Sequence, residues 1–436
     1  MTTSTSLVRQ RRFLPLFATQ LLGAFNDNLF KNAIVLFVVY NVTSISSELF
    51  SGIASFIFVV PFFMFSSISG QLSDMRDKAK VIRIVKACEI GIMLVGAAGL
   101  LLAWKGIGLS SFAIPLMLLA LFAMGVHSTF FGPIKYAILP QHLKPEEVLA
   151  GTGLVEAGTY VAILAGTIMA GWIPVQWAAV AVVVTAVIGY FIGREVPPAP
   201  PQNGVEPLDY HFIRASWDLV RNTTHDRRVF EAILAISFFW AVGTVLFIQF
   251  PPLAKNVLHA SKEVASLFLV IFSVGIAIGS VSINALLKGK VSARYSAPSV
   301  LFMGLFVVGF YFVCRAWSAE EGSAILNTAD FIAQPMAIPL LATLLGIAIS
   351  GGMFVVPLYA FLTTFVDKSQ TARTIAANNI VNSGAMVVGS IVAISLSAAG
   401  LPLQEQVLLS AVMCLFSAWL ATLLYRSERA AEAFSQ

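Results

Sequence analysis

Long apolar runs, each sufficient to cross a lipid bilayer as a helix, make up most of this sequence. A transmembrane helix needs about 20 mostly apolar residues, whereas transmembrane strands need short segments of alternating polarity. Twelve runs have helical length, near residues 13–40, 49–72, 81–104, 111–139, 150–172, 175–193, 229–254, 262–287, 296–316, 335–365, 373–398 and 403–425. Charged residues are 11% of the chain, against about 25% in soluble domains. The pattern predicts an all-α polytopic membrane protein with twelve transmembrane helices.

Basic residues collect in alternate connections between these runs. The basic-rich segments contain Arg9, Arg11, Arg12, Arg76, Lys78, Lys80, Arg83, Lys86, Lys144, Arg194, Arg214, Arg221, Arg227, Arg228, Lys288, Lys290, Arg294, Lys368, Arg373, Arg426 and Arg429. Because Lys and Arg are retained on the cytoplasmic side, we expect both termini in the cytoplasm. The net charge of +5 follows this helix-end pattern and does not indicate a nucleic-acid partner.

The first run carries ionisable residues in its middle. Gln20–Asn32 reads QLLGAFNDNLFKN, so that Asp27 and Lys31 are four residues apart and share a helix face. Charges at membrane depth normally face a bundle interior or a watery cavity and mark a pathway. We therefore take Asp27, Asn28 and Lys31 as candidate substrate-binding residues. The alternative is an internally satisfied pair that only fixes helix packing.

A polar segment from 194 to 228 divides the chain into two sets of six runs. It begins with REVPPAPPQNG, an extended proline-rich stretch, and Tyr210 to Val220 has the pattern of a short amphipathic helix at the membrane surface. The predicted organisation is an N-terminal six-helix bundle (1–193), a cytoplasmic linker (194–228) and a C-terminal six-helix bundle (229–436). Basic loops in corresponding positions, 70–83 and 286–296, indicate that the halves are pseudo-symmetric.

Two bundles of six helices with related halves resemble the major facilitator fold, whose substrate sites lie near the midplane between the halves. The loop after the second run also resembles the signature of that superfamily, through Gly70, Asp74, Arg76 and Lys78. Asp74 can lie against the positive N-terminus of a neighbouring helix, so we predict that these four residues gate the cytoplasmic side. The alternative is an ordinary basic loop.

Three blocks narrow the resemblance. AFNDN (24–28), FGPIKYAIL (131–139) and GLVEAGTYVAILAG (153–166) are together similar to the bacterial lysophospholipid transporter family. The resemblance implies movement of lysophosphatidylethanolamine-like lipids across the inner membrane for cytoplasmic reacylation. It also implies functional coupling to an acyltransferase or acyl-ACP synthetase. We expect a monomer that is not an enzyme and needs no cofactor or metal.

Polar residues of later runs complete the predicted site. Lys135 and Tyr136 belong to the second block, and Glu156 belongs to the third. Lys135 suits a lipid phosphate, while Lys135 and Glu156 are equally compatible with a gating or packing pair. We interpret His127 as a hydrogen-bonded histidine of the bundle interior rather than a proton relay, and Glu89 as a buried hydrogen-bonding partner.

The last six runs are expected to contain no ionised residue in their interiors. They offer Asn378 and Asn382, four apart on one face, and an aromatic-rich stretch that includes Phe247 and Phe250. We therefore predict that the N-terminal half binds the charged head group and that the C-terminal half contacts the single acyl chain. Packing between helices explains the asparagines equally well.

Other functions use the same features. A proton-coupled exporter of drugs or other amphipathic solutes would share the fold, with Asp27 as its proton site. A membrane acyltransferase lacks support, because no histidine is followed by Asp five residues later and no GxSxG or Walker motif occurs. A scaffold that docks soluble enzymes through 194–228 is the third possibility. Cys88, Cys314 and Cys414 have no metal-site spacing and are expected to act as small hydrophobic residues.

Overall fold

The protein is built from α-helices. The computed structural model describes residues 7–42, 46–201, 211–287, 292–317, 325–364 and 371–434. Within these ranges the side chains of Asp74, Tyr136, Glu156 and some other helical residues are outside the description. The helices are α1 (Leu14–Asn41), α2 (Ser47–Met75), α3 (Lys78–Trp104), α4 (Ile114–Ala137), α5 (Leu139–His142), α6 (Pro145–Trp172), α7 (Val175–Arg194), α8 (Phe212–Thr223), α9 (Arg227–Asn256), α10 (Lys262–Leu287), α11 (Ser296–Ala316), α12 (Thr328–Ile332), α13 (Ala337–Thr364), α14 (Thr371–Ala398) and α15 (Leu403–Phe434).

Eleven helical segments in the described part of the chain are long and apolar enough to cross a membrane. The exception among the predicted runs is α6, whose apolar portion, Val161–Trp172, is shorter than a full span. The helix as a whole has 28 residues, but it begins with polar ones. The all-α polytopic prediction is confirmed, and each predicted run corresponds to a long helix.

Short polar side chains set several helix starts. The carboxylate of Asp77 accepts a hydrogen bond from the backbone N–H of Ala79 at 3.0 Å and so caps α3. Asp226 caps α9 in the same way, with 2.8 Å to the N–H of Arg228. The turn between α14 and α15 contains Gly400 at φ 75°, a conformation that glycine adopts without strain.

The chain forms two compact units. The first comprises residues 1–37 and 60–215, and the second comprises residues 38–59 and 216–436. The C-terminal end of α1 and the N-terminal end of α2 therefore belong to the second unit. In the predicted orientation these two ends lie on the side of the membrane away from the cytoplasm. The sequence division at 193 and 229 stays a prediction.

Within each unit the helices that correspond in sequence order pack in the same way. In the first unit α3 packs extensively against α4 and α7, the helices of the fourth and sixth runs. In the second unit α11 packs against α13 and α15, the helices of the tenth and twelfth runs. This repeated pattern, offset by six runs, supports the pseudo-symmetry predicted from the basic loops.

Three polar contacts hold residues 38–59 in the second unit. The ammonium of Lys255 donates to the carbonyl of Val39 in the last turn of α1, where a cation also favours the helix dipole. Asn256 donates to Glu48 Oε1 at 2.6 Å, and the Tyr40 hydroxyl donates to the carbonyl of Ala260 at 2.9 Å. These contacts fix the ends of α1 and α2 to the α9–α10 connection.

In the first unit Arg12 joins the segment before α1 to α5 and α6. Its guanidinium contacts Glu147 at 2.8 Å and the carbonyl of His142 at 3.2 Å. The backbone N–H of Lys144, and then the Arg12 guanidinium, hold the pKa of the Glu147 carboxyl below its ordinary value. Partial burial lowers the pKa of His142, so this imidazole is neutral at neutral pH.

The linker contains the predicted amphipathic helix. It is α8, Phe212–Thr223, which begins and ends slightly later than predicted. Ile213 and Trp217, four residues apart, are 72% and 67% exposed. An exposed apolar ridge with arginines on the same short helix is typical of a segment that lies in a membrane interface, and this placement stays a prediction.

The contact between α10 and α13 depends on glycine. A Cβ atom at Gly279 would overlap the backbone of Ile349, whereas one at Gly243 meets no atom within 4 Å. We therefore expect Gly279→Ala to destabilise the second unit by about 1–3 kcal/mol, as overpacking does. Thermal unfolding in detergent, followed by loss of monodisperse protein, measures the effect. Gly243→Ala is the matched control, and equal melting temperatures for both variants would contradict the close packing.

Candidate functional site

The polar residues of α1 face neighbouring helices of the first unit. The half-buried carboxylate of Asp27 accepts a 2.5 Å hydrogen bond from the hydroxyl of Ser128 on α4. Its other oxygen, Oδ1, has no hydrogen-bond partner among the described residues. Lys31 interacts electrostatically with Asp27, as expected from their shared face. The site thus contains a charged pair with acceptor capacity left on Asp27.

The asparagines of α1 have different surroundings. The amide of Asn28 donates to the carbonyl of Ala24 at 2.8 Å. The amide of Asn32 bridges to the carbonyl of Asn28 and to Thr167 on α6, at 2.8 and 3.2 Å. The amide N–H of Asn28 is therefore bonded within α1, while Asn32 links α1 to α6.

A buried polar cluster lies beside these residues. Lys86 and Glu89 of α3 form an ion pair one helical turn apart, and both side chains are 1% exposed. His127 Nε2 of α4 lies 3.3 Å from Glu89 Oε2. Asn26 of α1 donates to Glu89 Oε1 at 2.8 Å. One carboxylate therefore binds three helices together, and we call Lys86, Glu89, His127 and Asn26 the Glu89 cluster.

Glycines make room for the lysine of this cluster. A Cβ at Gly189 of α7 would lie 3.0 Å from Lys86 Cε, and one at Gly23 of α1 would lie 3.4 Å from Lys86 Nζ. Gly193 lies against the middle of the same side chain. The aliphatic stem is thus enclosed between α1 and α7, which directs the ammonium to Glu89.

The sequence prediction for Lys86 is wrong. It was grouped with the basic residues of the cytoplasmic connection, whereas the structure buries it inside the first unit. The signal that identifies it is the Lys86–Glu89 spacing of three inside an apolar helix, which places opposite charges on one face. The prediction for Glu89 as a buried hydrogen-bonding partner is confirmed.

His127 differs from its prediction. It is 6% exposed and its ring is stacked on Phe131, with ring centroids 6.4 Å apart. Neither ring nitrogen, however, has a well-formed hydrogen bond among the described residues, although Nε2 lies 3.3 Å from Glu89 Oε2. The prediction of a hydrogen-bonded histidine is therefore not confirmed.

The second and third sequence blocks are less completely described. Lys135 lies in the last turn of α4 and is half-buried. Tyr136 follows it on the same helix, and Glu156 lies within α6, but both side chains are outside the described residues. The predicted Lys135–Glu156 pair therefore stays a prediction.

The proposed gating residues lie where α2 passes into α3. Gly70 is in the last third of α2, Arg76 is exposed, and Lys78 begins α3 with a side chain that is only 4% exposed. The side chain of Asp74 is outside the described residues. In this loop the carboxylate with described hydrogen bonds is that of Asp77. It accepts the backbone N–H of Ala79 and that of Ala199, the latter at 3.1 Å. The latch role of the loop stays a prediction.

In the second unit the predicted asparagines are both buried. Asn382 accepts the Ser237 hydroxyl at 2.7 Å and donates to the Tyr359 hydroxyl at 3.2 Å. Tyr359 in turn accepts the indole N–H of Trp240 at 2.8 Å. Asn378 is fully buried, and neither polar atom of its side chain has a hydrogen-bond partner in the described part of the chain.

The structure bears on two further expectations about the second unit. Phe247 is 38% exposed, but Phe250 is 1% exposed and packs edge-to-face on Phe268, so Phe250 is a core residue. The expectation of no ionised interior residue is wrong for Glu231. Its carboxylate is 4% exposed, with Arg227 at 2.9 Å and the Ser427 hydroxyl at 3.0 Å.

The described residues also include side chains that could bind a metal ion or form disulfides. No group of three or more His, Cys, Asp or Glu side chains suited to a metal ion occurs among the described residues. Cys88, Cys314 and Cys414 are free thiols. The charged chemistry of the described site therefore comes from the Glu89 cluster, Asp27 and Lys31.

Comparison with known proteins identifies relatives of the whole chain. The sequence model of the Major Facilitator Superfamily matches residues 16–346. The chain is 25% identical over 398 residues to the lysophospholipid transporter LplT of Salmonella heidelberg (strain SL476), covering 88% of each chain. The same identity and coverage hold for LplT of Salmonella typhimurium.

Solved transporter structures share the fold. The POT family transporter PepTSo matches with a TM-score of 0.68 and 13% identity, covering 96% of this chain and 98% of that one. A bacterial homologue of the iron transporter ferroportin in an inward-facing state matches with a TM-score of 0.66 and 14% identity, over 96% and 98% of the two chains. At this identity the likeness concerns the fold alone.

The Glu89 cluster predicts an asymmetric response to mutation. Glu89→Ala leaves the Lys86 ammonium buried without its counter-ion, which costs about 3–5 kcal/mol when one partner of a buried pair is removed. The double variant Lys86→Met/Glu89→Leu removes both charges and is expected to recover most of that loss. Melting temperatures of the purified variants in detergent measure both effects. A double variant no more stable than Glu89→Ala would contradict this account of the pair.

Proposed function

Because the chain belongs to the Major Facilitator Superfamily, we propose that it transports lysophospholipids across the bacterial inner membrane by alternating access. The observation that carries the proposal is the match to transporters named for lysophospholipids over 88% of both chains. The match covers both units, so it concerns a whole transporter rather than one shared helix pair.

The distribution of charge supports an amphiphilic substrate. The first unit contains Asp27, Lys31 and the Glu89 cluster within its helices. In the second unit Ser237, Trp240, Tyr359 and Asn382 are joined by hydrogen bonds between neutral groups. The described ionised contacts of α9 lie towards its two ends, at Glu231 and Lys255. We infer that the head group binds in the first unit and that the acyl chain contacts the second, where each buried methylene is worth about 0.8 kcal/mol.

Specific residues are assigned to the head group in this proposal. Among the described residues Asp27 Oδ1 has no hydrogen-bond partner, which suits the ammonium of an ethanolamine head group. Lys135 is assigned to the phosphate as a point charge, and Asn28, Lys31, Tyr136 and Glu156 are assigned to the head group with it. Asn378, whose buried amide has no described partner, and Asn382 are assigned to substrate binding in the second unit.

The direction of transport and its use are part of the same proposal. The basic connections support a cytoplasmic location for both termini, and we assign the gating of that side to Gly70, Asp74, Arg76 and Lys78. Lysophosphatidylethanolamine would be delivered to the cytoplasmic leaflet, where an acyltransferase or acyl-ACP synthetase restores the second acyl chain. The protein acts as a monomer that moves the lipid and leaves the acylation to that partner.

A second candidate function is proton-coupled export of drugs or other amphipathic solutes. Asp27 in α1 favours it, because one of its carboxylate oxygens accepts no hydrogen bond from the described residues and is suited to exchange a proton. The two candidates differ in cargo. Lysophospholipid movement separates them, since an exporter of this kind has no requirement for a single-chain phospholipid.

Substitution at Asp27 tests the head-group assignment. Asp27→Asn keeps an acceptor for Ser128 but removes the charge, so we expect the initial rate of lysophosphatidylethanolamine movement to fall about tenfold or more, the value of one charge-assisted contact. Lys135→Ala is expected to give a similar loss. Proteoliposomes with fluorescent or isotopic lysolipid measure the rates.

The matched control is Asp226→Asn, at the start of α9. Asn caps helices as well as Asp does, so this variant also loses one carboxylate but should transport at the natural rate. Full transport by folded Asp27→Asn and Lys135→Ala proteins would refute the assigned site while leaving the cargo unchanged.

A further inference from the structure

The start of the linker is docked on the first unit. Residues 195–201 read EVPPAPP, and Val196 and Ala199 in this stretch are each 1% exposed. Both side chains belong to the same hydrophobic cluster as Leu7 and Phe13, which precede α1. The stretch is therefore part of the packed core of the first unit, and we call residues 195–201 the strap.

Side chains of the first unit hold the strap through its backbone carbonyls. Arg83 of α3 donates to the carbonyl of Val196 at 3.2 Å, and His142 Nε2 of α5 lies 3.3 Å from the carbonyl of Pro198. Four of the seven strap residues are prolines, which have no N–H to donate. The strap therefore depends on donors from α3 and α5.

The loop between α2 and α3 makes a two-way contact with Ala199. The N–H of Ala199 donates to Asp77 Oδ1 at 3.1 Å, and the carbonyl of Ala199 accepts from the backbone N–H of Lys78 at 3.0 Å. The same Asp77 oxygen caps α3 by accepting the N–H of Ala79 at 3.0 Å. One carboxylate oxygen therefore fixes both the start of α3 and the strap.

This contact joins the linker to residues that have a role in the proposed function. Lys78 belongs to the loop that is assigned to gate the cytoplasmic side. Beyond the strap the chain continues to the second unit, which resumes at residue 216. A movement of the linker therefore acts on the gating loop through Ala199, Asp77 and Lys78.

We propose that Asp77 is a positioning residue, which couples the linker to the gating loop by holding the strap against the start of α3. The inference rests on the proposed function, which assigns gating to that loop. Loss of the contact lets the linker move without moving the loop, so the gate should change state more slowly. The head-group contacts are unchanged, so the maximal rate of lysophospholipid movement should fall while KM stays the same.

Hydrogen exchange tests the docked strap without any transport measurement. Because of its prolines, the strap has backbone N–H groups only at Glu195, Val196 and Ala199, so exchange in this peptide reports the bond from Ala199 to Asp77. We expect exchange at Ala199 to be about tenfold faster in Asp77→Ala than in the natural protein, because the N–H loses its acceptor. Exchange at Ala199 that is equally fast in the natural protein would overturn the inference.

Transport in proteoliposomes tests the coupling, with lysophosphatidylethanolamine as the probe. We expect Asp77→Ala to lower the maximal rate about fivefold with an unchanged KM. Ala199→Pro removes only the donor to Asp77 and leaves the α3 cap intact, so it should give the same loss. Asp77→Asn keeps an acceptor oxygen and a good cap, so it should retain the natural rate and the slow exchange.

The matched control is Asp226→Ala, which removes an equivalent helix cap, that of α9. It should keep the natural maximal rate and the slow exchange at Ala199. Equal maximal rates for folded Asp77→Ala and Asp226→Ala proteins would overturn the inference, as would a natural rate in Ala199→Pro. Absence of lipid movement by the natural chain would refute the proposed function, and with it the coupling, while exchange at Ala199 still tests the strap.

Discussion

The ion pair between Lys86 and Glu89 is the interaction on which the first unit depends. Both side chains are 1% exposed in a part of the protein surrounded by apolar helices. Removing two charges from water is costly, and their attraction offsets that cost only when the remaining hydrogen-bonding groups are also satisfied. Asn26 donates a hydrogen bond to Glu89 Oε1 and His127 Nε2 lies 3.3 Å from Glu89 Oε2, so α1, α3 and α4 meet at a single carboxylate.

This arrangement also positions the residues that are candidates for substrate binding. Asn26 and Asp27 are consecutive on α1, and His127 and Ser128 are consecutive on α4. Asn26 and His127 contact Glu89, while Ser128 contacts Asp27. The same turns of two helices therefore contact both a buried carboxylate and a half-buried one. The two carboxylates act on each other electrostatically, because charges are weakly screened in a low-dielectric interior.

The sequence was sufficient for the fold, and it indicated candidate residues for the site. Membrane thickness determines the length of apolar runs, which is why every long helix has its predicted run, and a charge inside such a run made Asp27 conspicuous. Lys86 was missed because it lies five residues inside an apolar stretch that follows a basic connection, where lysine usually extends to the membrane surface. Its glycine surroundings and its contact with His127 join residues distant in sequence, and spacing alone does not reveal such contacts. Phe250 shows the reverse error, because it was predicted to contact the acyl chain and is instead buried in the core. An aromatic stretch in a sequence does not tell which rings face the core.

Movement of single-chain phospholipids by this protein can be measured directly. The purified natural chain is placed in vesicles, and lysophosphatidylethanolamine and a cationic amphiphilic dye are followed in the same preparation, beside protein-free vesicles. We expect protein-dependent movement of the lysophospholipid, with the dye crossing no faster than in protein-free vesicles. Protein-dependent movement of the dye without movement of the lysophospholipid would contradict it and would favour an exporter of other amphipathic solutes.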